Sequence, residues 1–191
     1  MDRGAGLGSL AALLCLGALA AAAARAASYS VLDLGTLPGM TLSQASDINN
    51  QGQVVGMCQD STGANLRSFL YTGGTMADML PGTNSVAQAI NNQGQVTGWL
   101  RHADNSRDAF LYSGGQWSTL PTVAGNPIEP NAINNSGQIV GTGMIFPVMQ
   151  YYAFKYDGTT TTNLGLYGTQ RAVATSINDR SEEHTSELQS R

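Results

Sequence analysis

After position 27, hydrophobic residues occur in short runs that are separated by glycine, asparagine and other polar residues. Gln53-Val54-Val55-Gly56 and Ser68-Phe69-Leu70-Tyr71 are two such runs in the first part of this region. β-Branched and aromatic residues in short runs between turn residues are typical of β-strands. No segment of this region shows the period of about 3.6 residues that an amphipathic helix requires. The pattern therefore predicts an all-β protein.

A phrase built on Ile-Asn recurs four times along the chain. Its isoleucines are Ile48, Ile90, Ile133 and Ile177, which are separated by 42, 43 and 44 residues. A nearly constant period of this size predicts a repeat architecture, in which each unit buries its faces against its neighbours. The predicted boundaries are 28–44 for an N-terminal strand, 45–86, 87–130 and 131–173 for three repeats, and 174–179 for the start of a fourth.

Each repeat contains the elements of four strands, which we name a to d. An Asn-x-Gly turn such as Asn50-Gln51-Gly52 joins a to b, and a glycine turn such as Gly73-Gly74 joins c to d. Both turn types favour tight antiparallel hairpins. Four antiparallel strands in about 40–45 residues indicate β-propeller blades, and we expect a β-propeller-like array. An open solenoid of hairpins is the alternative.

The segment that precedes the first repeat resembles a d strand. Its Thr36-Leu37-Pro38-Gly39 echoes Met79-Leu80-Pro81-Gly82 at the end of the first repeat. A propeller places a strand of this kind at its outer edge to close the ring. We therefore expect an outer strand within residues 28–44.

The first 27 residues resemble a secretory signal peptide. Arg3 is followed by an apolar stretch from Leu7 to Ala24, and Ala24-Arg25-Ala26 offers a small-x-small cleavage site. An uncleaved membrane anchor is the alternative, although the stretch is rich in alanine and no second apolar span follows. We expect cleavage, with no membrane span afterwards and a secreted protein in the extracellular space or periplasm.

Residues 180–191 depart from the repeat. The repeat predicts x-Gly-Gln after Asp179, whereas the sequence continues Arg180-Ser181-Glu182 and is rich in charge. The segment resembles the translation of a sequencing-library adapter, so we expect an artefact of assembly here and a truncated fourth repeat. A natural polar terminus is the alternative.

The repeats resemble the HAF family of bacterial extracellular repeats. The similarity lies in 45–179, in the phrases Ile-Asn-x-x-Gly-Gln-Val-Val-Gly and Ala-Phe-x-Tyr. The histidine for which that family is named is replaced by Arg67, Asp108 and Tyr152. The resemblance implies an exported protein with a propeller-like fold, and it brings no catalytic residues.

The composition narrows the classes of function. The formal net charge is −4, so the chain has no basic surface of the kind that binds nucleic acid. Cys58 is the only cysteine after the predicted signal peptide, and we expect a small buried side chain there, with an interchain disulfide as the alternative. His102 and His184 are far apart in sequence, and no cysteine–histidine cluster has metal-ligand spacing, so we expect no metal and no cofactor.

Candidate functional residues lie in the connections that vary between repeats. In a propeller the b–c loops, predicted at 57–67, 99–108 and 142–152, share one face with the d–a loops, predicted at 81–86, 121–130 and 165–171. Aromatic and polar residues in these loops suit a glycan or a surface protein as ligand. The candidate binding residues are Trp99, Arg101, His102, Asp104, Arg107, Tyr151 and Tyr152.

The predicted function is that of an exported binding or cell-surface interaction module without enzymatic activity. The first alternative is a propeller hydrolase that acts on extracellular polysaccharide, which needs two carboxylates about 5–10 Å apart on this face. A structural component of the envelope is the second alternative. The carboxylates that could serve a hydrolase are Asp60, Asp104, Asp108 and Glu129.

Overall fold

The computed structural model describes residues 29–165, 171–180 and 182–187. The predicted signal peptide lies outside these residues. The chain divides into two compact units, 1–32 and 33–191, and the described part of the first unit, 29–32, forms no strand. All regular secondary structure in the described residues is β-strand, which confirms the predicted all-β class. None of the described residues forms a helix long and apolar enough to cross a bilayer.

The described residues of the second unit form fourteen strands. They form three sheets of four strands, β1-β2-β3-β4, β5-β6-β7-β8 and β9-β10-β11-β12, and one pair, β13-β14. All pairings are antiparallel, and each sheet follows the order of the chain. The strands are β1 Leu42–Ile48, β2 Val54–Gln59, β3 Leu66–Thr72, β4 Thr75–Asp78, β5 Asn84–Ile90, β6 Val96–Arg101, β7 Arg107–Ser113, β8 Gln116–Thr119, β9 Ile128–Ile133, β10 Ile139–Ile145, β11 Gln150–Tyr156, β12 Thr161–Gly165, β13 Ala172–Ile177 and β14 Glu183–Glu187.

The described residues before β1 contain no strand where the sequence predicts an outer one, and β1 itself is the a strand of the first repeat. Residues 29–41 form no strand, and β1 begins at Leu42. The motif that Leu37-Pro38-Gly39 shares with Leu80-Pro81-Gly82 forms a turn and not a strand. The carbonyl of Leu37 accepts a hydrogen bond from the Met40 amide at 3.0 Å, as that of Leu80 does from Thr83 at 3.1 Å. Pro38 and Pro81 have no amide proton for a strand ladder, which explains why the shared motif is a turn.

The repeat pattern was expected to end at Asp179, but the pairing continues beyond it. β14 pairs with β13 in the position of a b strand, with Ile177 opposite Glu183. Glu182 occupies the place that glutamine has in the other repeats. Its carboxylate accepts a hydrogen bond from Asn178 Nδ2 at 2.7 Å, and its amide donates to Asn178 Oδ1 at 3.0 Å. The turn is kept because glutamate offers the same acceptor at the same distance along the chain.

In the first three repeats, a β-bulge in the a strand explains the glycine that recurs in the middle of the b strand. The register of β5 against β6 shifts between Ala87 and Ala89. The bulge presses the backbone of β5 onto Gly98, where an added Cβ would lie 2.0 Å from the carbonyl oxygen of Val86. Gly56 and Gly141 meet the carbonyls of Gln44 and Glu129 in the same way, at 2.0 and 2.1 Å. Only glycine permits this close approach of two backbones.

The hydrophobic core lies between successive sheets. Phe110 of β7 and Val96 of β6 are fully buried with Val55 and Leu80 of the preceding sheet. Phe154 and Ile139 pack in the same manner against residues of the second sheet, such as Ala109 and Leu120. The second and third repeats therefore bury their phenylalanine against the preceding repeat, as a stacked repeat requires.

Cys58 is fully buried in a small cluster with Leu37 and Phe69. Burial raises the pKa of its thiol. The expectation of a small buried side chain at this position is confirmed, since no part of this residue reaches the surface.

Asparagine side chains join the repeats at their a–b turns. Asn91 is almost fully buried and uses all of its hydrogen-bonding capacity. Its Oδ1 accepts from the amides of Gln93 and Gln95 at 3.0 and 2.9 Å. Its Nδ2 donates to Gln95 Oε1 at 2.7 Å and to the carbonyl of Asn134, in the next repeat, at 3.0 Å. One side chain thus closes its own turn and joins that turn to the next.

The same contacts recur through the array, and we call the set Asn49, Asn91, Asn134 and Asn178 the Asn ladder. Nδ2 of Asn49 donates to the Asn91 carbonyl at 3.0 Å, and Nδ2 of Asn134 donates to the Asn178 carbonyl at 3.1 Å. The Ile-Asn phrase recurs because its asparagine has two roles. It closes the hairpin of its own repeat, and it binds the turn of the neighbouring repeat.

Candidate functional site

The two ends of the sheets differ in what they offer to a ligand. The a–b turns at 49–52, 91–94 and 134–137 form what we call the turn face. The b–c loops, the d–a loops and the strand ends that carry them form the loop face. Amides on the turn face are used within the structure: the amides of Asn50 and Asn92 donate to Oδ1 of Asn92 and Asn135 at 2.9 and 2.8 Å.

The isoleucines and asparagines of the turn face surround a shallow cavity of about 310 Å³. Asp179 at its border accepts hydrogen bonds from the amide and the Nδ2 of Asn135 at 2.9 and 2.8 Å, and these bonds lower the pKa of its carboxyl. The polar groups around this cavity thus already form hydrogen bonds with one another between repeats.

The strands on the loop face extend further than the sequence predicts. The predicted b–c loops at 57–67, 99–108 and 142–152 shorten to 60–65, 102–106 and 146–149. The loops are shorter than predicted because cross-strand partners such as Arg101 and Arg107 remain paired up to the turn. Side chains on these strand ends alternate between the core and the surface, which decides which candidates are accessible.

Tyr152 is a correction to the predicted site. It lies on β11, one residue after Tyr151, and faces the core, where it is fully buried. Its ring lies against Gly143, so that an added Cβ there would be 2.1 Å from Cζ. Its hydroxyl has no hydrogen-bond partner among the described residues, and burial raises the pKa of this hydroxyl. Tyr152 therefore packs between sheets and is not available to a ligand.

Trp99 contributes to the site by packing against Arg107. It is 8% exposed on β6, and the guanidinium carbon of Arg107 lies 4.2 Å from its ring centroid. Arg107 also forms an ion pair with Glu129 of the next sheet. The indole face and the carboxylate together hold the guanidinium across the boundary between the second and third repeats.

A cavity of about 710 Å³ opens on the loop face, and we call it the loop-face cavity. Every residue that lines it belongs to one of the loops predicted at 99–108, 121–130, 142–152 and 165–171. These residues are Asn105, Ser106, Arg107, Asp108, Thr122, Gly125, Pro127, Glu129, Thr142, Met144, Phe146, Tyr151 and Arg171. Arg107 and Tyr151 are thus the predicted site residues that the structure brings together.

Arg171 reaches this cavity from the position directly before β13. Its guanidinium carbon lies 4.3 Å from the centroid of the Tyr151 ring. Sequence reasoning missed this residue, although it lies at the end of a loop that was assigned to the correct face. A single arginine at the end of a variable loop gives no signal of its own until the fold shows what it contacts.

Arg101 and His102 lie elsewhere on the loop face. They line a second cavity of about 390 Å³ together with Trp117, which is 46% exposed. The Arg101 guanidinium donates to the carbonyl of Ala64, in the b–c loop of the first repeat. Arg101 therefore also fastens one loop to the next.

His102 and Asp104 shape the b–c loop of the second repeat. His102 Nε2 and Asp108 Oδ2 are hydrogen-bonded at 2.9 Å, with both side chains about half exposed. Asp104 Oδ1 accepts from the Ser106 hydroxyl and amide, at 2.6 and 2.9 Å, and these bonds lower the pKa of the carboxyl. Asp104 stabilises the turn and does not line the loop-face cavity.

The positions of the carboxylates are relevant to the hydrolase alternative, which needs two carboxylates on the loop face. Asp108 and Glu129 both line the loop-face cavity, where each already has a cationic or imidazole partner, His102 and Arg107 respectively. Asp60 lies in the loop of the first repeat, where hydrogen bonds from Asn65 and Thr62 lower its pKa to about 2. Among the described residues, no three of histidine, cysteine, aspartate and glutamate lie together in a way that could hold a metal ion.

Comparison with known protein families gives no match for this chain, and comparison with curated proteins gives none.

Proposed function

We propose that the protein is an exported binding module without enzymatic activity, and that it takes its ligand in the loop-face cavity. The observation that carries this proposal is the origin of the cavity lining. Residues from three loops of two successive repeats, together with Arg171 at the end of a fourth loop, surround one volume of about 710 Å³, and these loops vary in sequence while the turns recur. Variable loops on a rigid repeated scaffold are the usual place for recognition. A volume of this size accommodates a few sugar rings or side chains.

The proposal includes a β-propeller arrangement of the sheets, with an open solenoid as the alternative. Two features support it. Each sheet is a four-stranded meander, and the a strands β1, β5, β9 and β13 are neighbours in succession. The Asn ladder keeps the a–b turns close together, as the inner strands of a propeller are.

Export is proposed from the sequence of residues 1–27. The resemblance to HAF repeats supports the same location, outside the cytoplasm of a bacterium. The structure is compatible with either a glycan or a surface protein as partner, so the test must offer both.

We expect the protein to bind a member of a panel of extracellular oligosaccharides and surface-protein segments, and Tyr151→Ala to weaken that binding about tenfold or more. The reason is that Tyr151 carries Arg171 at the cavity, and loss of the ring removes the support for the guanidinium. Trp117→Ala is the matched control, since it removes an exposed aromatic side chain that lines the second cavity instead. Affinities are measured by isothermal titration calorimetry.

Two outcomes would contradict the proposal. Binding that is equally weakened by Trp117→Ala would move the site away from the loop-face cavity. Cleavage of an oligosaccharide that is abolished in both Asp108→Asn and Glu129→Gln would establish the hydrolase, since both carboxylates line this cavity.

A further inference from the structure

The rim of the loop-face cavity is unusually apolar on one side. The b–c loop of the third repeat, 146–149, exposes Phe146 by 52%, Val148 by 67% and Met149 by 53%. Phe146 lines the cavity itself, and Met144 lies further in. Neighbouring large apolar side chains that are exposed together at a cavity mark a surface for interaction.

A cation lies beside this apolar rim. Val148, Met149, Tyr151 and Arg171 line one small adjoining depression. Arg107, the other arginine of the cavity, is neutralised by Glu129. Within the described part of the chain, no carboxylate forms an ion pair with Arg171, whose guanidinium rests on the Tyr151 ring. A guanidinium in this position offers a planar pair of donors that matches a carboxylate.

We infer that the loop-face cavity binds an extended peptide segment in which an aspartate or glutamate stands next to a large apolar residue. The acidic side chain pairs with Arg171, and the apolar side chain packs against Phe146, Val148 and Met149. This inference rests on the proposed function and names its ligand class.

The side chains at the rim favour a peptide over a sugar. A saccharide site needs a flat, uncovered aromatic face, and the face of Tyr151 is covered by Arg171. Valine and methionine offer no plane for a sugar ring, whereas they pack well against leucine or phenylalanine and methionine adapts its shape to the partner. The placement of the Arg171 guanidinium beside an apolar strip gives the acidic–apolar order of the ligand.

The test is selection from a phage library of random twelve-residue peptides on the intact protein. We expect enriched peptides to share an acidic residue next to leucine, isoleucine, phenylalanine or methionine. For a synthetic peptide of the enriched sequence, Arg171→Gln and Phe146→Ser should each raise Kd about tenfold or more. Arg67→Gln is the matched control: it removes one positive charge that pairs with Asp78 in the first repeat, and it should change Kd less than twofold.

The outcomes separate this inference from the proposed function. Enriched peptides that lack an acidic residue, or a Kd that Arg171→Gln leaves unchanged, would overturn the inference. If the selection fails while an oligosaccharide binds and Tyr151→Ala weakens it, the ligand class is wrong but the loop-face site stands. If neither peptide nor oligosaccharide binds, both proposals fail.

Discussion

Gly98→Ala is expected to destabilise the protein by about 4 kcal/mol or more, or to prevent folding. The added methyl carbon would lie 2.0 Å from the carbonyl oxygen of Val86 and 2.9 Å from the ring of Phe110. The carbonyl belongs to the bulge of β5, so it cannot move without breaking the pairing of β5 with β6. Phe110 is fully buried and cannot rotate away without opening the core. The free energy of unfolding is measured by urea denaturation, followed by circular dichroism.

Gly115→Ala is the matched control for this prediction. Gly115 has a φ of 84° and open space around its Cα, so alanine there is strained in the backbone but meets no atom. We expect a loss of about 1–2 kcal/mol from that strain. A Gly98 variant that loses no more than the Gly115 variant would show that the contact with the bulge is not tight, and the explanation of the recurrent glycine would be wrong.

Asn91→Ala is expected to reduce the free energy of unfolding by about 2–4 kcal/mol. The substitution leaves the partly buried amides of Gln93 and Gln95 without the Oδ1 acceptor. It also removes the donor to the Asn134 carbonyl, so the turn and the contact between repeats are lost together. A buried donor or acceptor that loses its partner costs about 1–3 kcal/mol. Urea denaturation is again the measurement.

Asn50→Ala is the matched control. It tests whether the loss of stability comes from the Asn ladder or from the removal of any asparagine at a turn. Asn50 occupies the turn position of Asn92 but lies in the first repeat and is exposed. Its amide donates to Asn92 Oδ1, a bond that the substitution retains. We expect a change below about 0.5 kcal/mol. Equal losses in the Asn50 and Asn91 variants would contradict the account of the Asn ladder.

The sequence predicted the repeats because their strands and turns depend on local chemistry. Glycine after Asn-Gln in the a–b turn adopts a positive φ of 74° at both Gly52 and Gly94, and few other residues do so without strain. Runs such as Phe69-Leu70-Tyr71 form strands for the same local reason. The turn after Asn178 was not predicted from the sequence. It forms with Glu182 in place of glutamine because the carboxylate accepts the same hydrogen bond from the asparagine side chain.

The sequence predicted the loops that line the cavity, but it could not show which of their side chains face it. Which side of a strand faces the core depends on its pairing, and on the loop face the b strands end later and the c strands begin earlier than predicted. That difference places Tyr152 in the core and leaves Tyr151 at the cavity. Arg171 reaches Tyr151 only because the fourth repeat packs beside the third, a contact that no local pattern encodes.

The bulges are the other feature that the sequence did not reveal. Ser46 and Gln88 are the extra residues that the register skips in β1 and β5, and nothing in their side chains marks them. Gly56 and Gly98 recur at the same place in the repeat, but the sequence alone gives no reason for them. The register supplies that reason, and it assigns these glycines to the scaffold.

The central claim is that the turn face joins the repeats while the loop face binds. It is tested most directly by amide chemical-shift mapping of the ¹⁵N-labelled protein with the peptide recovered by selection. The account predicts shifts at Arg107, Phe146, Tyr151 and Arg171, and none at 49–52 or 91–94. Shifts concentrated on the turn face, around the Asn ladder, would contradict it.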